Sequence, residues 1–87
     1  MGELYREGDL RIEAWPGDHQ PLHVHVSTRN NELEVKIDIS GDVVEALRPA
    51  KDERIRTNSR HTKRALILCQ KNLEYLQEAV KKYYDAQ

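Results

Sequence analysis

Leu22-His23-Val24-His25-Val26 and Leu33-Glu34-Val35-Lys36-Ile37-Asp38-Ile39 alternate aliphatic and polar residues, and this period of two decides the fold. Leu22, Val24 and Val26 point to one face of a strand, and Leu33, Val35, Ile37 and Ile39 do the same in the next. Upstream, Leu10, Ile12 and Ala14 repeat the pattern. Pro16-Gly17-Asp18 and Arg29-Asn30-Asn31 separate the three runs with residues suited to turns or to positive φ. Such short connections favour antiparallel neighbours, so the pattern predicts a meander with one aliphatic face. Beyond the turn at Ser40-Gly41-Asp42, Val43, Val44 and Leu47 fit either a short edge strand before Pro49 or a helical turn.

After a charged connector the period becomes helical. Leu66, Cys69, Leu73, Leu76, Val80 and Tyr83 recur at steps of three and four on one stripe, flanked by Ile67, Leu68 and Tyr75. Asn58 or Ser59 suits the N-cap, and neither Gly nor Pro interrupts the run. The expected architecture is α+β: a three- or four-stranded antiparallel meander over about 8–47, a basic connector over 48–58, and one long C-terminal helix over about 59–84. A helix of that length spans about 39 Å, against about 23 Å for a seven-residue strand. Part of the stripe should then overhang the sheet, with Val80, Tyr83 and Tyr84 meeting a second copy in a homodimer, or another protein. A diagonal crossing or a frayed end would remove the overhang equally well.

At 87 residues, with 38% hydrophobic and 33% charged content, the chain fits one small soluble domain with a thin margin of stability. It has no apolar run near the ~20 residues of a membrane span and no secretory pattern, so a cytoplasmic protein without membrane partners is expected. One cysteine, Cys69, provides neither an internal disulfide nor a cysteine-rich zinc site, and its place on the stripe predicts a buried, inert thiol. The net charge of −1 conceals a polarity. Residues 1–47 carry four basic and ten acidic residues, whereas 48–64 hold seven basic residues (Arg48, Lys51, Arg54, Arg56, Arg60, Lys63, Arg64) against Asp52 and Glu53. The basic stretch either faces an anionic partner or is answered by the acidic half of its own chain. Arg60, His61, Lys63 and Arg64 also crowd the positive end of the helix dipole, where a bound anion or a carboxylate from the sheet would relieve them.

Three histidines fall within Asp18-His19-Gln20-Pro21-Leu22-His23-Val24-His25. On a strand, His23 and His25 project together from the polar face, in phase with Glu13, Trp15, Glu34, Lys36 and Asp38. That face has three readings. His-x-His with Asp38 or Glu13 offers metal ligands, although the spacing alone is a weak signal. His23 and His25 beside Lys36 or Asp38 could exchange protons in cleaving an RNA phosphodiester or in a metal-dependent hydrolysis. As structure, the rings are polar packing, with His19 holding the turn and Trp15 shielding them, stacking on a base or filling a partner's pocket. Glycine-rich phosphate loops, HExxH, CxxC and serine-elbow motifs are all missing, and no cofactor is implied.

Trp15-Pro16-Gly17-Asp18-His19-Gln20-Pro21-Leu22-His23-Val24-His25-Val26 resembles the signature of a bacterial family of small proteins catalogued as a domain of unknown function. That family's pattern is an aromatic, a turn and His-x-Pro-Pro-His-Val-His-Val, then a strand like Glu34–Ile39 and an amphipathic helix. The likeness covers most of residues 8–84, departing at Leu22 and in the long basic connector. Members are often grouped with toxin-antitoxin-type gene pairs. The resemblance, matched at His19, His23 and His25, therefore implies an interaction module that meets a protein encoded nearby, or RNA; Trp15, His19, Arg54, Arg60, Lys63 and Arg64 are this chain's candidates for the contact. The rivals are a hydrolase at His23 and His25 and a DNA-binding autoregulator, the latter lacking a helix-turn-helix pattern.

Overall fold

A computed structural model describes residues 2–15, 22–49 and 54–85. The fold is α+β, with strands β1 (Gly2–Glu7), β2 (Leu10–Ala14), β3 (His23–Thr28), β4 (Glu34–Asp38) and β5 (Glu45–Leu47), then helices α1 (Ser59–Lys71) and α2 (Leu73–Asp85). The strands form one antiparallel sheet in chain order. Three of them follow the alternating runs, and β5 realises the edge-strand option for the segment before Pro49. The predicted turn at Asn31 is present, with φ at 62°.

Two corrections concern the number of elements. The sheet has five strands rather than three or four, because Gly2–Glu7 adds an edge strand that alternation could not reveal. Its two core-facing side chains, Leu4 and Tyr5, are adjacent in sequence, and the pairing slips between Glu3 and Tyr5, a bulge that breaks the period. The legible signal was Gly8-Asp9: Gly8 takes φ of 59° at the first central position of a two-residue hairpin, as a type II′ turn requires.

The helical region is likewise two helices rather than one. Asn72 sits between them at φ −113°, ψ 22°, and its side-chain amide donates to the Leu68 carbonyl at 2.9 Å. Such bonding to the preceding turn bends a helix without ending its ladder. Leu76 N–H still donates to the Asn72 carbonyl at 2.9 Å. The bend lets the stripe follow the sheet, so that α1 packs on β4 and β5 while α2 reaches β1.

No overhang results. Val80 is fully buried in the core, and Tyr83 and Tyr84 are half-buried against it. A Cβ at Gly2 would lie 2.5 Å from Tyr83 Cε1, so the absent side chain is what lets this ring settle on β1. At Tyr83, the surface proposed for a partner is covered by the chain's own first strand.

Ile12, Val24, Val26, Ile37 and Ile39 form the sheet side of the core, closed by Ala65, Leu68, Cys69, Leu76 and Val80. Helix side chains also satisfy the loop before β5. Gln70 accepts from Val44 N–H at 3.0 Å and donates to the Asp42 carbonyl at 2.9 Å, and Gln77 donates to the Ile39 carbonyl at 2.9 Å. Among the described residues no helix is long and apolar enough to cross a membrane.

Candidate functional site

The strand pleat places His23 and His25 on the face away from the helices, with Asp38 opposite His23 and with Glu13 and Lys36 flanking His25 on adjacent strands. His23, His25, Lys36 and Asp38, the four residues proposed for catalysis, thus share one face of the sheet, as the parity argument expects. The face differs from that expectation in its burial. His23 is 8% and His25 2% exposed, and Glu13 and Ser27 beside them are also buried.

The covering is specific. Trp15 lies flat on the His25 imidazole, centroids 4.0 Å apart and planes 6° from parallel, and His23 meets His25 edge-on at 5.3 Å. His25 Nδ1 donates to Glu34 Oε2 at 3.1 Å. A carboxylate that orients an imidazole is half of a general-base arrangement, but here the ring is 2% exposed and stacked under the indole, which leaves a substrate little access to it. Asp38 is committed elsewhere, accepting from Ser40 N–H at 2.8 Å and Ser40 Oγ at 2.6 Å. Among the described residues no group of three or more His, Cys, Asp or Glu is placed to hold a metal. His19 lies outside the described residues.

A second constellation lies at the N-terminus of α1. Asn58 caps the helix, its side chain accepting from His61 N–H at 2.7 Å. Arg64 forks both carboxylate oxygens of Asp9. That hydrogen bond holds the Asp9 carboxyl below its ordinary range and raises the Arg64 guanidinium. The dipole conflict seen in the sequence is therefore relieved by a carboxylate of the sheet half, but only at Arg64. Arg48, Arg54, Arg56, Arg60 and Lys63 are exposed and make no ion pair among the described residues; Lys51 lies outside them.

Between this helix end and the β3–β4 turn is an open cleft of about 500 Å³, to which Arg29, Leu33, Arg60 and His61 contribute. The sequence places His61 among the basic residues of the first helical turn but gives no sign of Arg29. For His61 the signal was phase, since positions 61, 65 and 68 share the buried side of the helix. His61 is 2% exposed, and its Nε2 donates to the Val26 carbonyl at 3.0 Å. Cys69 is buried, which pushes its thiol up to about 12 and leaves it protonated and unreactive at neutral pH.

No protein-family model, no curated protein and no solved structure matches the chain.

Proposed function

We propose that the chain is a small cytoplasmic interaction module of the toxin-antitoxin type, which docks an acidic segment of a partner protein on its basic connector and the first turn of α1. The observation that carries this reading is the exposed charge of Arg54, Arg56, Arg60 and Lys63, which has no ion-pair partner among the described residues, beside an Arg64 that already grips a carboxylate. Asp9 in the fork of Arg64 is an internal precedent for the contact. RNA is the weaker partner, because Trp15 and the four tyrosines stand elsewhere, in the histidine face and around β1 and α2, and single-stranded RNA is held largely by stacking on aromatics. A hydrolase at His23 and His25 is disfavoured by the burial of both rings.

The test is co-purification of the tagged chain with the product of its neighbouring gene. Arg54→Glu and Arg60→Glu together should weaken capture by about tenfold or more, and the wild-type complex should weaken with added salt. Capture that is indifferent to both substitutions and to salt would refute the docking reading.

A further inference from the structure

We infer that the pocket at the β1–β2 turn is a binding site for a compact dianionic oxyanion, of the kind carried at the end of a phosphomonoester or present as free phosphate. Arg6, Gly8, Asp9, Arg11 and Arg29 line about 170 Å³ there, so arginines reach one pocket from β1, from β2 and from the turn after β3. Arg6 and Arg11 are direct cross-strand partners. Residues in that register share a face with Cβ atoms about 4.5–5.5 Å apart, and like charges so placed destabilise a sheet unless something answers them. Arg29 is tied to the same turn by its N–H, which donates to the Asp9 carbonyl at 2.8 Å.

The described chain answers only one of these three charges. Arg6 pairs with Glu3 on its own strand at 2.6 Å. Asp9 is the one acid lining the pocket, and both of its carboxylate oxygens lie in the fork of Arg64, which does not line it. Arg11 donates to Asn31 Oδ1, a neutral acceptor. Neither Arg11 nor Arg29 makes an ion pair among the described residues. With Arg6–Glu3 and Arg64–Asp9 each cancelling, Arg11 and Arg29 leave a charge of +2. A guanidinium takes phosphoryl oxygens two at a time, and a dianion brings both the charge and the oxygens that two guanidiniums require. A carboxylate brings half of each. The volume lies below the ~300 Å³ of sites that engulf a drug-sized ligand, which suits a headgroup held at the surface rather than a whole molecule.

This site and the proposed docking surface fail separately, since Arg54, Arg56, Arg60 and Lys63 do not line the pocket. The experiment titrates the full chain with inorganic phosphate, with phosphoserine and with acetate at constant ionic strength and about pH 8, following backbone amide resonances. Saturable shifts at Gly8, Asp9 and Arg29 are expected with inorganic phosphate, and acetate should bind about tenfold more weakly or worse. Phosphoserine binding as tightly as phosphate assigns the pocket to phosphomonoesters, and its exclusion assigns it to the free anion. Arg29→Gln, in an exposed turn, should weaken phosphate by about tenfold, and so should Arg11→Gln, whereas Arg60→Gln leaves it unchanged. Arg11→Gln also removes the cross-strand repulsion, so in anion-free buffer its thermal midpoint should be no lower than that of the wild type. Acetate binding as tightly as phosphate would overturn the selection for a dianion. Shifts that never saturate, or that survive Arg29→Gln, would overturn the site.

Discussion

The two faces of the sheet are built from the same strands, one closed by the helices and the other buried around His23 and His25, by different chemistry. On the helix side, Ile12, Val24, Val26, Ile37 and Ile39 meet an aliphatic stripe, where burial is driven by removal of apolar surface from water. On the other side, Glu13, His23, His25 and Ser27 are buried with polar groups intact, beneath one indole and around one carboxylate–imidazole contact. Alternation reports which way a side chain points. It does not report whether water is there, and polar residues in phase on a strand are compatible with a closed layer.

The comparison breaks most easily on the aliphatic side. Ile37→Ala, at a position with no exposed surface, should cost about 2–5 kcal/mol, enough to leave a domain of this size largely unfolded in a urea titration. Trp15→Ala should cost about 2 kcal/mol by the same measurement, since the indole is only half-buried but carries the stack on His25. If Trp15→Ala proved neutral, the second face would be an open polar surface and the comparison would collapse. Glu34→Gln sharpens it further. Loss of the carboxylate from His25 should cost about 1 kcal/mol, whereas the same change at a fully solvated pair would cost less.

The smallest effect belongs to Asp9→Asn at the exposed pair with Arg64. The fold holds the Asp9 carboxyl below its unfolded value, so the ionised form favours the native state. That contribution is present above the ordinary carboxylate range and is lost as pH falls through the depressed folded value. Asp9→Asn should therefore narrow its gap to wild type as pH is lowered, and added salt should shrink the gap at neutral pH.

Much of this architecture was legible because aliphatic alternation is strong in residues 22–26 and 33–39, and because the Asn31 turn and the Asn58 cap use residues whose local chemistry favours those geometries. β1 was illegible for a physical reason: an edge strand with a bulge needs no alternating face. The bend at Asn72 was hidden because a single Asn barely lowers helix propensity, and only its bond to Leu68 realises the kink. At the candidate site, the shared face of His23, His25, Lys36 and Asp38 followed from parity, and so did the place of Trp15. The cleft did not, since Arg29 and His61 are 32 residues apart in sequence and meet only when α1 docks beside the β3–β4 turn.

The closure of the histidine face carries the rest, because it moves recognition away from the imidazoles and toward the end of α1. Diethylpyrocarbonate modification, followed residue by residue by mass spectrometry, measures that closure directly. The account predicts that His23 and His25 react far more slowly in the folded chain than in urea and that Trp15→Ala speeds both. Modification of the folded wild type at the unfolded rate would contradict it.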